Sequence, residues 1–225
     1  MSFFSEQRQE YVFIYVVFGN IFSPAKNMSK EADDFRVKAI IGLGNPGKRY
    51  ANTKHNAGFL VLDRFVKTLP GDKAYIQGFN GLFCKARIGG RIVFFLKPLT
   101  FMNLSGQAVG KVLRYFKISP QEMLVVHDEL DFEAGVIRFK DGGGHGGHNG
   151  LRDIVATLGD GQFHRMRIGI GHPGDRRKVS DYVLSAVPMS DTVSIELGFE
   201  RVHLNSELLV QMRFDQLKNK IHQAF

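Results

Sequence analysis

Apolar strand patterns alternate with amphipathic helix patterns from Val37 onward, and this alternation is the feature that most constrains the fold. The segments predicted as strands are 37–44, 82–88, 91–98, 123–129, 136–140 and 164–171. Helices are predicted at 57–69, 104–116 and 151–158, with one or two more in the tail 190–225. Strands that alternate with helices build a mostly parallel sheet covered on both faces. We therefore expect a single α/β domain with a mixed, mostly parallel, twisted sheet and helices on both faces.

The spacing of apolar residues predicts which helix faces are buried. One face of the 57–69 helix carries Phe59, Leu62, Phe65, Val66 and Leu69. Every fourth residue of the 104–116 helix is apolar, at Leu104, Ala108, Val112 and Phe116. Gly89 and Gly90 separate two strand patterns and predict a hairpin turn. In the tail, the predicted N-caps are Ser190 and Ser206.

Residues 1–36 differ from the rest and are predicted to form an N-terminal extension outside the fold, with residues 37–225 forming the domain. Their apolar run at 11–18 is too short to cross a bilayer. Arg8 is the only basic residue before this run, and no small-residue cleavage site of a secretory signal follows it. Cys84 is the only cysteine, which excludes an intrachain disulfide and favours a reducing compartment. We therefore expect a cytoplasmic protein without a membrane partner.

The chain is strongly basic. It has 30 Lys and Arg residues against 22 Asp and Glu residues, which gives a formal net charge of +8. A cation of this size attracts polyanions over long distances, so nucleic acid is the leading partner class. An acidic membrane surface is one alternative, and a basic enzyme without a polyanionic partner is the other.

Glycines at 42, 44 and 47 have the G-x-G-x-x-G spacing that binds a dinucleotide when it joins a strand to a helix. The residues that follow do not fit a dinucleotide fold. Mostly polar and basic residues follow Gly47 in place of an apolar helix, and Asp63 falls inside a predicted helix rather than at a strand end. Pro46 also removes a backbone N–H of the kind a pyrophosphate needs. Binding of NAD is therefore disfavoured, and no cofactor is predicted.

Polar side chains suited to catalysis follow the predicted strands. Asn45 and His55 come after the first strand, Asn103 follows the hairpin, and Asp128 ends a later strand. Open α/β sheets bind ligands at the carboxyl ends of their strands, so these side chains are predicted to share one site. Taken singly, each also fits a structural role. His55 fits a helix-start cap, Asn103 fits an N-cap, and Asp128 fits a solvated turn.

The segment DGGGHGGHNGLRDI, residues 141–154, has five glycines in seven positions. Glycines remove side-chain bulk, so a ligand can lie against the backbone of this loop. The helix predicted to begin near Asn149 points its free N–H groups toward the same region. The loop is therefore predicted to belong to the site.

Histidines and acids in these segments also raise the hypothesis of a metal site. The candidate ligands are His127, Asp128, Asp131, Glu133, His145 and His148. No H-E-x-x-H spacing is present, and a glycine-rich loop holds imidazoles poorly, so no metal is predicted. A nucleophilic serine or cysteine is also disfavoured, because no G-x-S-x-G elbow occurs and Cys84 lies mid-strand.

The remaining hypothesis is a histidine that acts as a general base on water. A carboxylate such as Asp128 would orient its imidazole, and asparagine amides would donate to a developing oxyanion. This combination fits hydrolysis of an ester or an amide. A basic protein of this kind would hold its substrate by the phosphates.

Four long segments resemble the motifs of bacterial peptidyl-tRNA hydrolases, in order and with the expected gaps. They are GLGNPGKRYANTKHNAGF (42–59), KPLTFMNLSGQAV (97–109), HDELDFEAGVIRFKDGGGHGGHNGLRDI (127–154) and FHRMRIGIGHP (163–173). The resemblance covers residues 37–225. It is specific, because several long motifs coincide.

The resemblance implies a monomeric enzyme that hydrolyses the ester between a peptidyl group and tRNA and releases free tRNA during translation. It implies no metal and no obligate protein partner. On the matching motif positions, His55 would be the catalytic base and Asp128 its orienting partner. Lys140 and Arg167 would clamp a tRNA phosphate, a role that their charge supports independently.

The same motif positions imply residues that hold the substrate. Asn45, Asn103 and Asn149 would line the site, and the last two would hold the peptide and the attacking water. Tyr50 and Met102 would flank the groove for the peptidyl group or the 3′-adenosine. Two other functions stay open at this point, namely a non-catalytic RNA-binding relative and a metal-dependent phosphoesterase.

A chain that starts at Met28 is expected to fold and to hydrolyse substrate as well as the full chain does. The reason is that residues 1–27 carry no motif and no long periodic pattern. Thermal melting and turnover of the two chains, compared side by side, check this expectation. A Tm lower by several degrees, or a large fall in turnover, would mean that the run at 11–18 packs on the domain.

Overall fold

Seven strands and seven α-helices lie in the residues that the computed structural model describes, 36–70 and 74–222. The strands are β1 (Ala39–Gly42), β2 (Ile76–Gly78), β3 (Gly81–Ile88), β4 (Arg91–Pro98), β5 (Met123–Glu129), β6 (Ile137–Asp141) and β7 (His164–Gly169). The helices are α1 (Ala57–Thr68), α2 (Ser105–Phe116), α3 (Asn149–Leu158), α4 (Val179–Leu184), α5 (Met189–His203), α6 (Ser206–Val210) and α7 (Phe214–His222).

The strands form one sheet in the order β2-β3-β4-β1-β5-β7-β6. The four central strands, β4, β1, β5 and β7, are parallel, and the outer strands pair antiparallel. Strand β4 pairs with one side of β1, and the chain then crosses to β5, which pairs with the other side of β1. At such a reversal of strand order, the connections leave a crevice beyond the carboxyl ends of the strands.

The sheet is buried on both faces. On one face, a hydrophobic core joins Ile40 of β1 and Leu124 of β5 to Phe65 of α1. Val109 and Val112 of α2 are fully buried but lie outside that core, and α2 packs on β4 and α3. Helices therefore cover both faces of a mixed sheet with a parallel centre, which confirms the predicted fold class.

Helix α1 approaches β1 closely because glycines stand where the two elements cross. A Cβ atom at Gly58 would lie 2.4 Å from the carbonyl oxygen of Val126 and 2.5 Å from the backbone nitrogen of Leu43. A Cβ atom at Gly42 would lie 2.6 Å from the carbonyl oxygen of Gly58. Packed interiors leave no room for such contacts. This close approach brings the start of α1, and with it His55, to the carboxyl end of β1.

Most of the predicted elements are confirmed. The five apolar residues predicted on one face of the first helix are all buried: Phe59, Leu62, Phe65, Val66 and Leu69. The predicted hairpin is β3 and β4, and its turn residues Gly89 and Gly90 have φ of 54° and 76°, which glycine adopts without strain. Strand β2 is absent from the prediction, since three residues are too few to show an alternating pattern.

Three details of the prediction are wrong. The tail forms three helices, α5 to α7, where the pattern predicts one or two. Ser190 and Ser206 lie inside helices whose N-caps are Pro188 and Asn205, because each of these helices begins earlier than predicted. Leu104 is 40% exposed, because it belongs to a 3₁₀ turn that precedes α2 rather than to the buried face of that helix.

The predicted extension and its apolar run at 11–18 lie outside the described residues, apart from Arg36. The backbone N–H of Val37 donates to the carbonyl oxygen of Val210 at the end of α6 (2.9 Å). None of the helices in the described ranges has the length and apolar character that crossing a bilayer requires.

The substitution Gly58→Ala is expected to destabilise the fold by about 2 kcal/mol or more, because the new methyl group meets backbone atoms that cannot move aside. Gly161→Ala is the matched control, since a Cβ atom there comes no nearer than 3.5 Å to any neighbouring atom and φ is not in the left-handed region. Urea unfolding of both variants measures the difference. Equal free energies of unfolding would contradict the close packing of α1 on β1.

Candidate functional site

A cavity of about 1040 Å³ lies at the carboxyl ends of the parallel strands. Its walls come from the segments after β1, β4 and β5, from the glycine-rich loop before α3, and from α4. The structure brings together eight of the nine predicted site residues in this lining, namely Asn45, His55, Met102, Asn103, Asp128, Lys140, Asn149 and Arg167.

The carboxylate of Asp128 interacts with two histidines. Nδ1 of His55 lies 2.9 and 3.0 Å from its two oxygens, and Nε2 of His148 lies 3.0 Å from Oδ1. Asp128 is buried in β5, His55 comes from a 3₁₀ turn before α1, and His148 is the N-cap of α3. Three separate elements therefore meet at one carboxylate.

Hydrogen bonds set the tautomers of the two imidazoles in opposite senses. Nδ1 of His148 accepts from the backbone N–H groups of Gly150 (3.1 Å) and Leu151 (3.3 Å) at the start of α3. This atom carries a lone pair, so the ring proton of His148 is on Nε2, which donates to Asp128. Because an ionised carboxylate only accepts, His55 carries its own proton on Nδ1. Nε2 of His55 therefore keeps its lone pair and can take a proton from water.

Burial and the carboxylate act on the pKa of His55 in opposite directions. Burial lowers it, whereas the charge and hydrogen bond of Asp128 raise it, and the net pKa lies above the ordinary value of 6.5. Burial also opposes ionisation of Asp128, but the charges and hydrogen bonds of the two histidines hold the pKa of this carboxyl well below its usual range. Asp128 is thus ionised at neutral pH, and His55 is a stronger base than a free imidazole.

His127 supports this group from the interior. Its Nδ1–H donates to the backbone carbonyl oxygen of Asp128 (2.6 Å), and its ring meets that of His148 edge-on with centroids 5.0 Å apart. Burial, with a smaller contribution from His148, lowers the pKa of His127 to about 3. His127 is therefore neutral at physiological pH and adds no charge beside Asp128.

Asn45 is held at the cavity by its neighbours. Oδ1 of Asn56 accepts from the backbone N–H of Asn45 (2.8 Å), and Nδ2 of Asn56 donates to the carbonyl oxygen of Asn45 (2.9 Å). Oδ1 of Asn45 in turn accepts from the backbone N–H of Met102 (2.8 Å). This contact fixes the orientation of the amide, so Nδ2 of Asn45 is the group left to donate to a ligand.

The glycine-rich loop is braced by Arg165. This side chain is buried, and its guanidinium donates to the carbonyl oxygens of Gly144 (2.6 Å) and Gly143. Gly143 has φ of 93°, a conformation that glycine tolerates and other residues rarely adopt. Because the loop leads directly into α3, the brace also sets the position of His148.

The basic wall of the cavity contains Lys140 and Arg167 in different settings. Lys140 is exposed and has no carboxylate partner among residues 36–70 and 74–222. Arg167 is half-buried, with Nη1 3.6 Å from the carboxylate of Glu129 and the guanidinium 4.7 Å from the ring centre of Phe132. Lys140 therefore has the freer charge of the two.

Asn103 and Asn149 are exposed at the cavity, near the starts of α2 and α3. Asn103 lies in the 3₁₀ turn Met102–Leu104 and is not an N-cap. Asn149 is the first residue of α3, and its Oδ1 accepts from Nη1 of Arg152 (2.9 Å). Both side chains present amide groups at the same opening as Asn45.

Tyr50 is the predicted site residue that does not line the cavity. Its ring meets Phe101 edge-on with centroids 6.5 Å apart, and the guanidinium of Arg49 lies 4.5 Å from its centre. Phe101 directly precedes Met102, which does line the cavity. Tyr50 therefore stands beside the site rather than in it.

Within the described part of the chain, one group of residues has ligand atoms close enough to hold a metal ion. These atoms belong to His55, Asp128 and His148 and lie within 4.8 Å of one another. In this arrangement the two nitrogens that face Asp128 carry the ring protons, so a metal ion there would have to displace both hydrogen bonds. The donor set thus fits an acid–base group better than a metal centre. The other ligands considered from the sequence lie outside the group: His127, Asp131, Glu133 and His145.

Comparison with known proteins gives the family of this chain. The family model for peptidyl-tRNA hydrolase matches residues 39–225. The chain belongs to the peptidyl-tRNA hydrolase family. It is 46% identical over 187 residues to peptidyl-tRNA hydrolase of Shewanella denitrificans, which covers 83% of this chain and 96% of the relative. The corresponding identity to the Bordetella avium protein is 43% over 199 residues, covering 87% of this chain and 96% of the relative.

Solved structures of the family agree. The crystal structure of peptidyl-tRNA hydrolase from Acinetobacter baumannii matches with a TM-score of 0.77 at 42% identity and covers 82% of this chain and 94% of that one. The predicted resemblance to this family is therefore confirmed.

The sequence predicts eight of the residues that line the cavity but misses two that organise it. Asn56 gives a weak signal, because it directly follows His55 and precedes a helix. Arg165 gives none, since an arginine inside a strand pattern resembles any basic surface residue. His148 is considered from sequence as a metal ligand and as the alternative to His55 as the base, whereas the structure gives it a hydrogen bond to Asp128.

The histidine signals in an NMR pH titration are expected to separate these roles. His55 should titrate above 6.5, because Asp128 favours its protonated form, and Asp128→Asn should move this inflection to lower pH. His127 should not titrate between pH 5 and 9, because its pKa is about 3. An inflection of His55 that does not move in Asp128→Asn would contradict the coupling of the two residues.

Proposed function

We propose that this chain hydrolyses the ester bond between a peptidyl group and the 3′ end of tRNA, and so returns free tRNA to translation. Membership of the peptidyl-tRNA hydrolase family supports this reaction. The single observation that carries the mechanism is the hydrogen bond of His55 Nδ1 to buried Asp128, which leaves the other ring nitrogen as a base at the cavity.

In the proposed reaction, Nε2 of His55 takes a proton from water as the water oxygen attacks the ester carbonyl carbon. Asp128 stabilises the imidazolium that forms. The negative charge that develops on the carbonyl oxygen accepts a hydrogen bond from Nδ2 of Asn45. When the intermediate collapses, the C–O bond to the ribose breaks, and His55 returns its proton to the leaving 3′ oxygen. No metal ion is needed for any of these steps.

The substrate is proposed to be held at two levels. Asn103 and Asn149 hold the peptidyl group and the attacking water, and Met102 packs against the bound end of the substrate. Tyr50 supports this wall from beside the cavity through Phe101. The exposed ammonium of Lys140 and the guanidinium of Arg167 contact a tRNA phosphate, and such contacts supply affinity without reading sequence.

The proposal also covers the setting of the enzyme. The activity resides in residues 37–225, and residues 1–36 are an extension that the reaction does not use. The chain acts as a monomer in the cytoplasm, with peptidyl-tRNA as its partner and without a cofactor. The net charge of +8 favours encounter with tRNA by electrostatic steering.

The purified chain is expected to hydrolyse N-acetyl-aminoacyl-tRNA and to spare tRNA charged with a free amino acid. His55→Ala should lower kcat by about 10² to 10⁴ while tRNA affinity stays nearly unchanged, because general-base catalysis is a transition-state effect. His203→Ala is the matched control, since His203 does not line the cavity, and its kcat should stay within about twofold.

Three results would count against this proposal. Near-normal turnover by His55→Ala would remove His55 as the base, and His148 would then be the next candidate. Loss of activity in EDTA would favour a metal-dependent phosphoesterase instead. Binding of tRNA without hydrolysis in a single-turnover experiment would favour a non-catalytic RNA-binding protein.

The basic residues of the cavity give a separate expectation for salt dependence. Lys140→Ala should weaken tRNA binding and flatten the plot of log Kd against log salt by roughly one unit of slope, because one phosphate contact is lost. Arg167→Ala should have a smaller effect on the slope, because Glu129 already balances part of its charge. Lys67→Ala, an exposed lysine outside the cavity, controls for net charge. An unchanged slope with a collapse of kcat in Lys140→Ala would assign Lys140 to the chemistry instead.

A further inference from the structure

Lys54, the residue before His55, has a buried side chain. Its ammonium donates to Oδ2 of Asp191 at 2.8 Å and to the carbonyl oxygen of Ile170 at 3.3 Å, and it lies 4.8 Å from the ring centre of Tyr182. The Lys54 side chain is 5% exposed and that of Asp191 is 26% exposed. Lysine is rarely buried to this extent without a specific partner.

The contacts of Lys54 tie the turn that carries His55 to the helices near the C-terminus. Asp191 lies in the first turn of α5. The backbone adds to the tie, because the N–H of Lys54 donates to the carbonyl oxygen of Ser185 (3.1 Å) and Thr53 forms an antiparallel bridge with Ala186. The segment between α4 and α5 is thereby joined to the residues directly before His55.

Helix α4, which this segment joins to α5, forms a wall of the cavity. Val179, Val183 and Leu184 of α4 line it, and the hydroxyl of Tyr182 donates to the carbonyl oxygen of Ile170 (2.7 Å), which also accepts from Lys54. A displacement of α4 and α5 would therefore move both the cavity wall and the turn that carries His55. Lys54 and Asp191 form an ion pair at this junction.

Stability alone does not explain a charge at this place. Removal of the Lys54 ammonium from water costs more than a partly exposed ion pair usually returns, and apolar replacements of similar volume are often as stable. A pair of this kind instead fixes one geometry, because its direction and length admit few alternatives. The backbone contacts hold the segment between α4 and α5 to the turn that carries His55. The ion pair fixes the position of that turn relative to α5.

We propose that Lys54 is a positioning residue of the hydrolase, and that its ion pair with Asp191 holds His55 at the distance from the attacking water that proton transfer requires. This inference rests on the proposed role of His55 as the base. Lys54 itself does not touch the reacting atoms in this account. Its loss therefore misplaces the base without weakening the contacts that hold tRNA.

The test compares Lys54→Met, Asp191→Asn, the double variant and Lys54→Arg in steady-state hydrolysis of N-acetyl-aminoacyl-tRNA. Lys54→Met should lower kcat about 10- to 100-fold, because misplacement of a reacting group by about 1 Å has an effect of this size. Its KM should stay within about twofold, because the substrate contacts remain. Lys54→Arg keeps the charge and the donors and should restore kcat to within about threefold of the original. The double variant should be no slower than Lys54→Met, since both changes break one interaction.

Lys67→Met is the control for loss of one positive charge, because Lys67 is exposed on α1, and its kcat should be unchanged. A kcat of Lys54→Met within twofold of the original, with only a lower Tm, would overturn the proposal. A kcat of the double variant that is reduced by the product of the two single reductions would also overturn the proposal, because the two residues would then act independently. If Lys54→Met does not fold, the kcat and KM of Asp191→Asn decide by the same criteria, because Asp191 is partly exposed and its replacement disturbs the fold less. Normal turnover by His55→Ala in the same series would instead refute the proposed base.

Discussion

The carboxylate of Asp128 is the interaction on which the rest of the site depends. It accepts a hydrogen bond from Nδ1 of His55 and another from Nε2 of His148, and it is buried in the central part of the sheet. Buried charge is costly unless it is paired and hydrogen-bonded, so the ionised carboxylate requires both imidazoles. Because Nδ1 of His55 donates its proton to Asp128, the free lone pair of His55 is on Nε2, which faces away from Asp128.

The fold supplies this arrangement through close packing rather than through long side chains. Gly42 and Gly58 let α1 lie against the end of β1, and the reversal of strand order at β1 places Asp128 of β5 beside it. The helix dipole and free N–H groups at the start of α3 then set the proton position on His148. The group of Asp128, His55 and His148 thus depends on strand β5, on the glycine contact between α1 and β1, and on the start of α3.

Elements of the fold could be predicted because the burial of an apolar face leaves a local pattern. The hairpin at Gly89 and Gly90 and the strand β6 are examples. The edge position of β6 and its antiparallel pairing with β7 could not be predicted, because strand neighbours are set by packing across the chain. In the site, motif positions give His55 and Asp128. They do not give the hydrogen bond of His148 to Asp128 or the pair of Lys54 with Asp191, since these are contacts between residues 20 and 137 positions apart.

The most direct test of the account is the position of the ring protons, measured by ¹⁵N NMR of the histidines at pH 8 in the full chain. The account predicts opposite neutral tautomers, with His55 protonated on Nδ1 and His148 protonated on Nε2. Asp128→Asn should change the signals of both imidazoles, because they share its carboxylate. If His55 carried its proton on Nε2 at this pH, that nitrogen could not accept a proton from water. This result would contradict the proposed catalytic role of His55.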